Sequence, residues 1–293
     1  MNYEENLLKA IKNGDDNKIK YLVEKKNVSV NFVGFLGEMP ILTAIDQTYN
    51  IRPLKLLVEL GAEINILNKY GQNPVFRCID KENLEALDFL IQNKVILNFQ
   101  HKISGDTPLI YAIKEKKSYF MDMLIKGGAD VNLENKRKKT ALHYAVERKS
   151  LEIVKLLTDA YKADVNKKDE QGKTPLFYAV INESKEMVEH LVKKARAKVN
   201  LTDKEGKTPL FYALQTKNDQ IFNILLSVGA KIHLDRKNKK SVEQYLEEEL
   251  LKDPLVLMYQ KVLEMKQARS LKPIHVLNQI AKRRAQKGGR SRD

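Results

Sequence analysis

The apolar residues of this chain fall into short runs with helical spacing, and the runs come in pairs. Near the start, Leu8 and Ile11 lie on one side of a predicted helix, and Ile19 and Leu22 continue the pattern in a second helix. A run with the same spacing occupies residues 151–157. Polar residues and glycines separate the runs. This pattern predicts helix–turn–helix units and an all-α chain.

The pairs belong to a repeat of 33 or 34 residues. Residues 169–180 read Asp-Glu-Gln-Gly-Lys-Thr-Pro-Leu-Phe-Tyr-Ala-Val, and residues 203–214 repeat nine of these twelve letters. Two registers keep the period along the chain, which indicates one structural unit stacked on its copies. The first register is Pro40, Pro74, Pro108, Ala141, Pro175, Pro209 and Val242. The second, which closes each unit, is Asn31, Asn65, Asn98, Asn132, Asn166, Asn200 and His233.

Three segments carry a resemblance to a known family. Residues 140–145 read Thr-Ala-Leu-His-Tyr-Ala, residues 107–112 read Thr-Pro-Leu-Ile-Tyr-Ala, and residues 128–132 read Gly-Ala-Asp-Val-Asn. They resemble the T-P-L-H-x-A pattern of ankyrin repeats. In that family the histidine ties neighbouring turns together. Here it survives only at His143, so we expect the other junctions to depend on apolar packing. The other residues in this slot are Leu42, Phe76, Ile110, Phe177 and Phe211.

The resemblance covers about residues 3–250 and implies an all-α ankyrin-repeat solenoid with projecting hairpin loops, which we call fingers. About seven repeats are expected, followed by a C-terminal helical cap. The predicted bounds are 1–33 (N-terminal capping repeat), 34–65, 66–98, 99–132, 133–166, 167–200, 201–233, 234–265 (C-terminal capping repeat) and 266–293 (basic helical tail).

Local signals support helices at these places. Threonine can cap a helix and proline is tolerated at its first position, so each Thr-Pro predicts a helix start. Gly127-Gly128 predicts a helix end, and Gly172 and Gly206 permit tight turns in the fingers. Repeats 5 and 6 carry one extra residue, for which we expect a longer turn before the next finger. The lone Cys78 stands where other repeats have alanine and is interpreted as a small buried residue.

The formal net charge is +14, and residues 266–293 hold nine Lys or Arg against one Asp. The longest apolar runs fall short of the ~20 residues of a spanning helix, and no secretory signal pattern is present. We expect a cytoplasmic protein, with export into a host cell without a signal peptide, or a nuclear location, as alternatives. The lone cysteine is compatible with a reducing compartment.

Two sets of residues are predicted to bind a partner. The family binds through finger loops and a concave face lined by first helices, which directs attention to residues beside each finger turn and to a tyrosine three residues after the proline. These tyrosines could form a binding ladder or could be half-buried for packing. The candidates on the fingers are Tyr70, Gln72, Arg137, Lys139, Glu170, Gln171, Lys173, Lys204, Glu205, Lys207, Arg236 and Lys239. The tyrosines are Tyr111, Tyr144, Tyr178 and Tyr212.

The tail has three interpretations. Residues 273–280 are similar to the opening of an F-box, L-P-x-E-x-L-x-x-I, in the spacing of Pro273, Leu277 and Ile280, although His275 replaces the acid. This likeness implies recruitment of a ubiquitin ligase. The basic run Lys282, Arg283 and Arg284 is instead typical of nuclear import or polyanion binding. The third interpretation is an ordinary capping helix with a basic end.

We found no pattern typical of catalysis. The five histidines are scattered, and no glycine-rich phosphate loop follows a strand. We therefore predict no enzyme activity, no cofactor and no metal. The first hypothesis is a monomeric protein-interaction scaffold whose partner carries an acidic patch, because lysine and arginine accumulate on the later fingers. The alternatives are a ubiquitin-ligase substrate adaptor and a protein that binds nucleic acid through its tail.

Overall fold

The computed structural model describes residues 2–35, 37–68, 71, 73–216 and 218–231. Two compact units divide the chain, Met1–Tyr178 and Ala179–Asp293. All regular elements of the described residues are helices, as the sequence pattern predicts. The predicted C-terminal capping repeat (234–265) and the basic tail (266–293) lie outside the described residues.

The described helices form pairs. The first pair precedes Asn31, and each later pair lies between successive residues of the closing register. The pairs are α1 (Tyr3–Asn13) with α2 (Asp16–Lys20), α3 (Pro40–Ile45) with α4 (Arg52–Glu59), α5 (Pro74–Asp80) with α6 (Leu84–Gln92), α7 (Pro108–Lys114) with α8 (Ser118–Lys126), α9 (Ala141–Glu147) with α10 (Leu151–Lys155), α11 (Pro175–Ile181) with α12 (Lys185–Glu189), and α13 (Pro209–Gln215) with α14 (Asp219–Ser227).

The first helix of a pair begins where the Thr-Pro signal predicts. The Thr107 hydroxyl accepts a hydrogen bond from the backbone N–H of Ile110 at 3.2 Å, and Thr208 makes the same bond to Phe211 at 3.3 Å. Such caps satisfy one of the N–H groups that a helix start leaves unpaired. The helix α3 lacks this bond because a buried Met39 occupies the threonine position.

The core is made by equivalent helices of adjacent repeats packing on each other and by the two helices of a pair packing together. In the first unit, α3 packs against α1 and α5, and α7 packs against α5 and α9. In the second unit, α14 packs against α12 and α13. Leucine, isoleucine, valine and alanine fill these contacts. Cys78 is fully buried among them, which confirms its interpretation as a small core residue, and burial raises the pKa of its thiol.

The extra residue of repeats 5 and 6 does not lengthen the turn before the finger, so that expectation is wrong. It is absorbed in π-helical turns that continue α10 and α12, at Leu156–Ala160 and His190–Lys194. The N–H of Ala163 therefore bonds to the carbonyl six residues earlier, at Leu157, whereas Ala129 bonds five residues back, to Leu124. Widening the helix keeps Leu157 and Ala163 both buried, which a longer loop would not guarantee.

Glycines with a positive φ angle serve two different purposes in repeat 4. Gly105 turns the finger at φ +71°, and a Cβ atom built on it would lie 2.6 Å from the backbone nitrogen of Lys136 in the next finger. Gly128 ends the second helix at φ +99° and has open space around it. The first glycine is required by close approach of two backbones, and the second only by its dihedral angle.

We expect Gly105→Ala to lower the free energy of unfolding by about 2 kcal/mol or more, because it adds a backbone clash to the cost of the left-handed conformation. The control, Gly128→Ala, should cost about 1 kcal/mol or less, because it has only the cost of the left-handed conformation. That cost is partly offset because alanine lowers the entropy of the unfolded chain. Urea denaturation of the two variants measures the difference. Equal losses would show that the fingers tolerate displacement.

Candidate partner-binding face

The fingers connect each closing residue to the next first helix. We number them by the repeat that they begin: finger 2 (31–39), finger 3 (65–73), finger 4 (98–107), finger 5 (132–140), finger 6 (166–174) and finger 7 (200–208). A backbone hydrogen bond closes the turn in fingers 5, 6 and 7, at 2.9 Å in each. Repeats of one sequence pattern thus present turns of one geometry.

An aspartate or asparagine organises the base of each of these three fingers. In finger 6, the Oδ1 of Asp169 accepts hydrogen bonds from the backbone N–H groups of Gln171 and Lys173, both at 2.9 Å. Asp203 in finger 7 and Asn135 in finger 5 accept equivalent pairs of bonds. A short side chain that holds the backbone two and four residues ahead fixes a turn. These finger tips are therefore held in place by their own base.

The tyrosine ladder is bonded to the same residues, nine positions earlier in the chain. The hydroxyl of Tyr178 donates to Oδ2 of Asp169, and that of Tyr212 donates to Oδ2 of Asp203 at 2.7 Å. Burial, and then the bond to the carboxylate, raise the pKa of both phenols, which keeps them as proton donors. In finger 5, the amide of Asn135 donates to the Tyr144 hydroxyl at 2.9 Å. We call this arrangement the finger clasp.

Tyr111 departs from the finger clasp for a reason that the sequence contains. The residue nine positions before it is Lys102, whose ammonium group cannot accept a hydrogen bond. Its hydroxyl donates instead to Asp80 of the preceding repeat, at 2.5 Å. Its ring packs edge-on against Phe76, with centroids 5.5 Å apart. The four tyrosines are all half-buried, so a partner would meet their ring surfaces rather than free hydroxyl groups.

Two lysines lie against these rings, on the face formed by first helices. The ammonium of Lys114 lies 2.7 Å from the buried carboxylate of Asp106 and 5.2 Å from the Tyr144 ring centre. The ammonium of Lys139 lies 4.5 Å from the ring centre of Tyr178, in range of a cation–π interaction.

Lys139 also pairs with Glu147, and its side chain is only 14% exposed. It flanks the finger turn, as the sequence predicts, but its charge lies inward on the tyrosines. Since Lys114 and Lys139 each pair with a carboxylate, this part of the first-helix face is close to neutral.

The single motif histidine links two repeats. The Nδ1 of His143 accepts from the backbone N–H of Thr140 at 3.1 Å, and its Nε2 lies 3.2 Å from the carbonyl of Lys173. Burial lowers the pKa of His143, so the neutral ring donates from Nε2. Where Phe76 replaces the histidine, the ring contacts are with His101 and Tyr111 of the next repeat. The expected substitution of packing for hydrogen bonding is confirmed at that junction.

An ion pair joins repeats 2 and 3, between α5 and the residue that follows α3. The guanidinium of Arg77 pairs with both carboxylate oxygens of Asp46, at 2.6 and 2.7 Å. The hydrogen bond to Asp46 raises the pKa of Arg77. Bidentate pairs of this kind are geometrically specific. Arg77 occupies the position of the later tyrosines, so the face changes from a charged pair to aromatic rings along the first unit.

Exposed positive charge gathers on fingers 4 and 5. Lys102, Lys136, Arg137 and Lys138 are all exposed. Glu170 and Gln171 are exposed in finger 6, whereas Lys173 is half-buried. In finger 7 of the second unit, Lys204 and Glu205 are exposed and Lys207 pairs with Glu205. The candidates that fall outside the described residues are Tyr70, Gln72, Arg236, Lys239, Pro273, Leu277, Ile280, Lys282, Arg283 and Arg284.

Sequence reasoning overlooked two features of this region. The first is the base residue of the finger clasp, which a constant spacing of nine residues to the tyrosine could have revealed. The second is the row of apolar side chains on fingers 2 to 4, where later fingers carry charged residues. The described residues contain no group of three or more His, Cys, Asp or Glu side chains able to hold a metal, and no helix among them is long and apolar enough to cross a bilayer.

Comparison with known proteins identifies the repeat. The family model described as ankyrin repeats (3 copies) matches residues 7–101, 83–169 and 160–236, which together span most of the chain. The chain belongs to the ankyrin repeat family. Its predicted all-α ankyrin-repeat fold is thereby confirmed, and ankyrin repeats are general protein–protein interaction modules.

Similar ankyrin repeat proteins come from several sources. One from Acanthamoeba polyphaga mimivirus is 33% identical over 111 residues, which is 36% of this chain and 14% of that protein. One from Fowlpox virus (strain NVSL) is 29% identical over 137 residues, 47% of this chain and 20% of that protein. The chain thus matches only about a fifth or less of these relatives. The crystal structure of the ankyrin repeat domain of Bcl-3 matches with a TM-score of 0.68 and 23% identity, over 75% of this chain and 97% of that one, which shows the fold alone.

The finger clasp of this ankyrin repeat protein can be tested with one hydroxyl. We expect Tyr178→Phe to lower the free energy of unfolding by about 1–3 kcal/mol, because it leaves an oxygen of the buried Asp169 without its partner. Tyr49→Phe is the control, since Tyr49 is fully exposed, and should change stability by less than about 0.5 kcal/mol. Urea denaturation measures both. A Tyr178→Phe variant as stable as the control would show that the clasp contributes no stability.

The inter-repeat histidine predicts a pH dependence. The pKa of His143 in the fold lies below its ordinary value of 6.5. The unfolded chain therefore takes up a proton that the folded chain rejects, and stability falls as the pH drops below about 6.5. Above that pH, protonation of His143 does not lower the free energy of unfolding. Below it, the free energy of unfolding falls by at most about 1.4 kcal/mol per pH unit.

We expect the stability difference between the native chain and His143→Phe to be constant above pH 7 and to shrink between pH 6.5 and 5. Phenylalanine suits this slot because repeats 6 and 7 carry it, and the other histidines are common to both chains, so their effects cancel. Urea denaturation at a series of pH values measures the difference. Parallel pH profiles would exclude this role for His143.

Proposed function

We propose that the protein is a non-enzymatic scaffold that binds an acidic protein partner through its fingers and the first-helix face. The observation that carries this proposal is the finger clasp, which holds exposed charged tips on a braced support. A rigid surface pays little ordering entropy when a partner binds. The aromatic rings beside the clasp add contact area at low entropic cost.

The charge distribution supports an acidic partner. Lys114 and Lys139 are neutralised inside the face by Asp106 and Glu147. Arg137 and Lys138 have no ion-pair partner among the described residues, and both project from finger 5. Unpaired exposed cations speed the encounter with a negatively charged surface and select against a basic one. The proposed contacts are Tyr70, Gln72, Tyr111, Arg137, Lys139, Tyr144, Glu170, Gln171, Lys173, Tyr178, Lys204, Glu205, Lys207, Tyr212, Arg236 and Lys239.

The test uses a charge reversal with a matched control. Arg137→Glu/Lys138→Glu changes the finger, and Lys149→Glu/Lys155→Glu reverses two exposed charges of the same repeat, beside and on the second helix α10. Lys138 and Lys149 share a left-handed backbone with φ of 56°, so the two variants are also matched in conformation. We expect the finger variant to lose at least about tenfold in partner capture and the control to retain it.

The full chain serves as bait, and quantitative mass spectrometry compares each captured protein among the three baits at two salt concentrations. Equal losses in both variants would show attraction by net charge alone and would contradict a specific finger site. A partner that binds all three baits equally would place the site elsewhere.

A ligase-adaptor role is a second candidate, carried by the F-box-like spacing of Pro273, Leu277 and Ile280. Under this hypothesis the repeats hold the substrate and the tail recruits the ligase. In the full chain, Leu277→Ser/Ile280→Ser should remove ligase subunits from the captured set and leave the finger-dependent partner. Retention of ligase subunits by this variant, or their absence from the native capture, would reject the adaptor role.

The basic tail allows a third candidate, in which Lys282, Arg283 and Arg284 bind nucleic acid. Salt-sensitive retention of nucleic acid that is lost on replacing these three residues with alanine would support it. The proposed site of action is the cytoplasm, with a host cell or the nucleus as alternatives, and the proposed state is a monomer.

A further inference from the structure

Large apolar side chains project from three successive fingers of the first unit. Phe35 is fully exposed, Ile103 is 72% exposed and Val33 is 59% exposed, while Leu67 on finger 3 is 44% exposed. Single exposed apolar residues are normal on protein surfaces. A series of them at related positions of consecutive repeats is different, because it costs solubility at each place and marks an interaction site.

The fingers of the first unit lie side by side. A Cβ atom on Gly71 of finger 3 would lie 2.7 Å from the Cβ of Lys102 in finger 4. The backbone N–H of Lys136 in finger 5 donates to the carbonyl of Ser104 in finger 4 at 3.1 Å. The Glu170 N–H of finger 6 donates to the Arg137 carbonyl at 2.9 Å. Fingers 3 to 6 are joined directly in this way, and finger 2 precedes α3, which packs against α5, the helix that finger 3 precedes. Neighbouring fingers therefore form one row.

The geometry of the row sets the spacing of its contacts. First helices of adjacent repeats pack against each other, and packed helices lie about 8–10 Å apart, so equivalent finger positions recur at about that spacing. A polyproline II segment returns to the same side every third residue, after about 9 Å. A β-strand returns to the same side every second residue, after about 6.7 Å, and does not match. The row fits an extended segment with an apolar side chain at every third position.

A cleft beside finger 2 offers a seat for the first of these side chains. It has a volume of about 270 Å³, and Leu8, Phe32 and Phe35 supply apolar walls. Glu4 and Glu5 also line it. A carboxylate would be repelled at this end of the row, whereas an apolar side chain would find contact area.

The other end of the row has the opposite charge. Lys102, Lys136, Arg137 and Lys138 are exposed on fingers 4 and 5. The Lys136 ammonium approaches the carbonyl of Lys102, at 2.5 Å, rather than a carboxylate. Carboxylates of a bound segment would therefore be favoured here and excluded near finger 2.

We propose that fingers 2 to 5 bind an extended protein segment that carries a large apolar side chain at every third position and ends in a cluster of carboxylates. The apolar side chains contact Val33, Phe35, Leu67 and Ile103 on fingers 2 to 4, and the carboxylates contact the cations of fingers 4 and 5. This inference rests on the proposed scaffold function and adds the sequence pattern of the partner.

The test uses synthetic peptides of about 12 residues, the length needed to span the row. The first peptide has leucine at every third position among neutral polar residues and ends in four glutamates. The second has the same composition with leucine at every second position, and the third has glutamine in place of glutamate. Fluorescence anisotropy measures binding to the full chain, to Phe35→Ser/Ile103→Ser and to Tyr119→Ser. Tyr119 is a matched control, since it is an exposed aromatic residue on the second helix α8.

We expect the first peptide to bind the native chain and Tyr119→Ser equally. It should bind Phe35→Ser/Ile103→Ser at least about tenfold more weakly, and the second and third peptides should bind the native chain with a similar loss. Because both replaced side chains are exposed, circular dichroism should show an unchanged helix content.

Four results would overturn the inference: no binding of the first peptide, equal binding of the first and second peptides, equal binding of the third, or no effect of the fingertip substitutions. Two further measurements address other occupants. If sedimentation shows self-association of the native chain that Phe35→Ser/Ile103→Ser abolishes, the row binds a second copy. If phosphatidylcholine vesicles bind with the same sensitivity, the row binds lipid.

The two proposals fail separately. If the peptides fail but the full chain still captures a partner that depends on Arg137 and Lys138, the scaffold function stands and the fingertip inference falls. If no partner depends on those residues, the finger 5 part of the scaffold proposal falls, whatever the peptides do.

Discussion

The structure depends on burial of the apolar stripe that every first helix carries. A single helix pair cannot cover this stripe alone, so it is covered by the first helix of the adjacent repeat, as α3 is by α1 and α5. Small residues such as Ala112 and Cys78 let these helices approach closely. Each repeat therefore stabilises its neighbours, and a repeat array gains its stability from these interfaces rather than from one central core.

Because the helices are fixed by this packing, the fingers inherit a regular position and can be braced at low cost. The finger clasp connects an aspartate at the finger base to a tyrosine on the helix that the finger precedes. Packing and partner contact, which sequence reasoning treated as alternatives, are therefore compatible in one tyrosine. Its hydroxyl holds the finger, while part of its ring remains on the surface available to a partner.

The fingers change in chemistry along the first unit, while the first helices that follow them pack in the same way from α3 to α9. Val33 and Phe35 make the early tips apolar, and Arg137 and Lys138 make a later tip basic. Packing constrains the buried positions of a repeat and leaves the turns free to vary. The proposed recognition of a partner with distinct apolar and acidic parts requires such variation on a constant helical support, and it needs no change in the fold.

The sequence by itself determined the repeat, the helix pairs and the helix starts, because these depend on local signals such as Thr107 before Pro108 and on a period that the printed chain displays. It also placed Cys78 in the core, since its position is that of alanine in other repeats. Only the tertiary structure decided the hydroxyl partners of the tyrosines, the inward position of Lys139 and the π-helical turn at Leu156–Ala160. These features depend on distances between side chains of different elements and on the choice between widening a helix and lengthening a loop, and neighbours far away in sequence settle both.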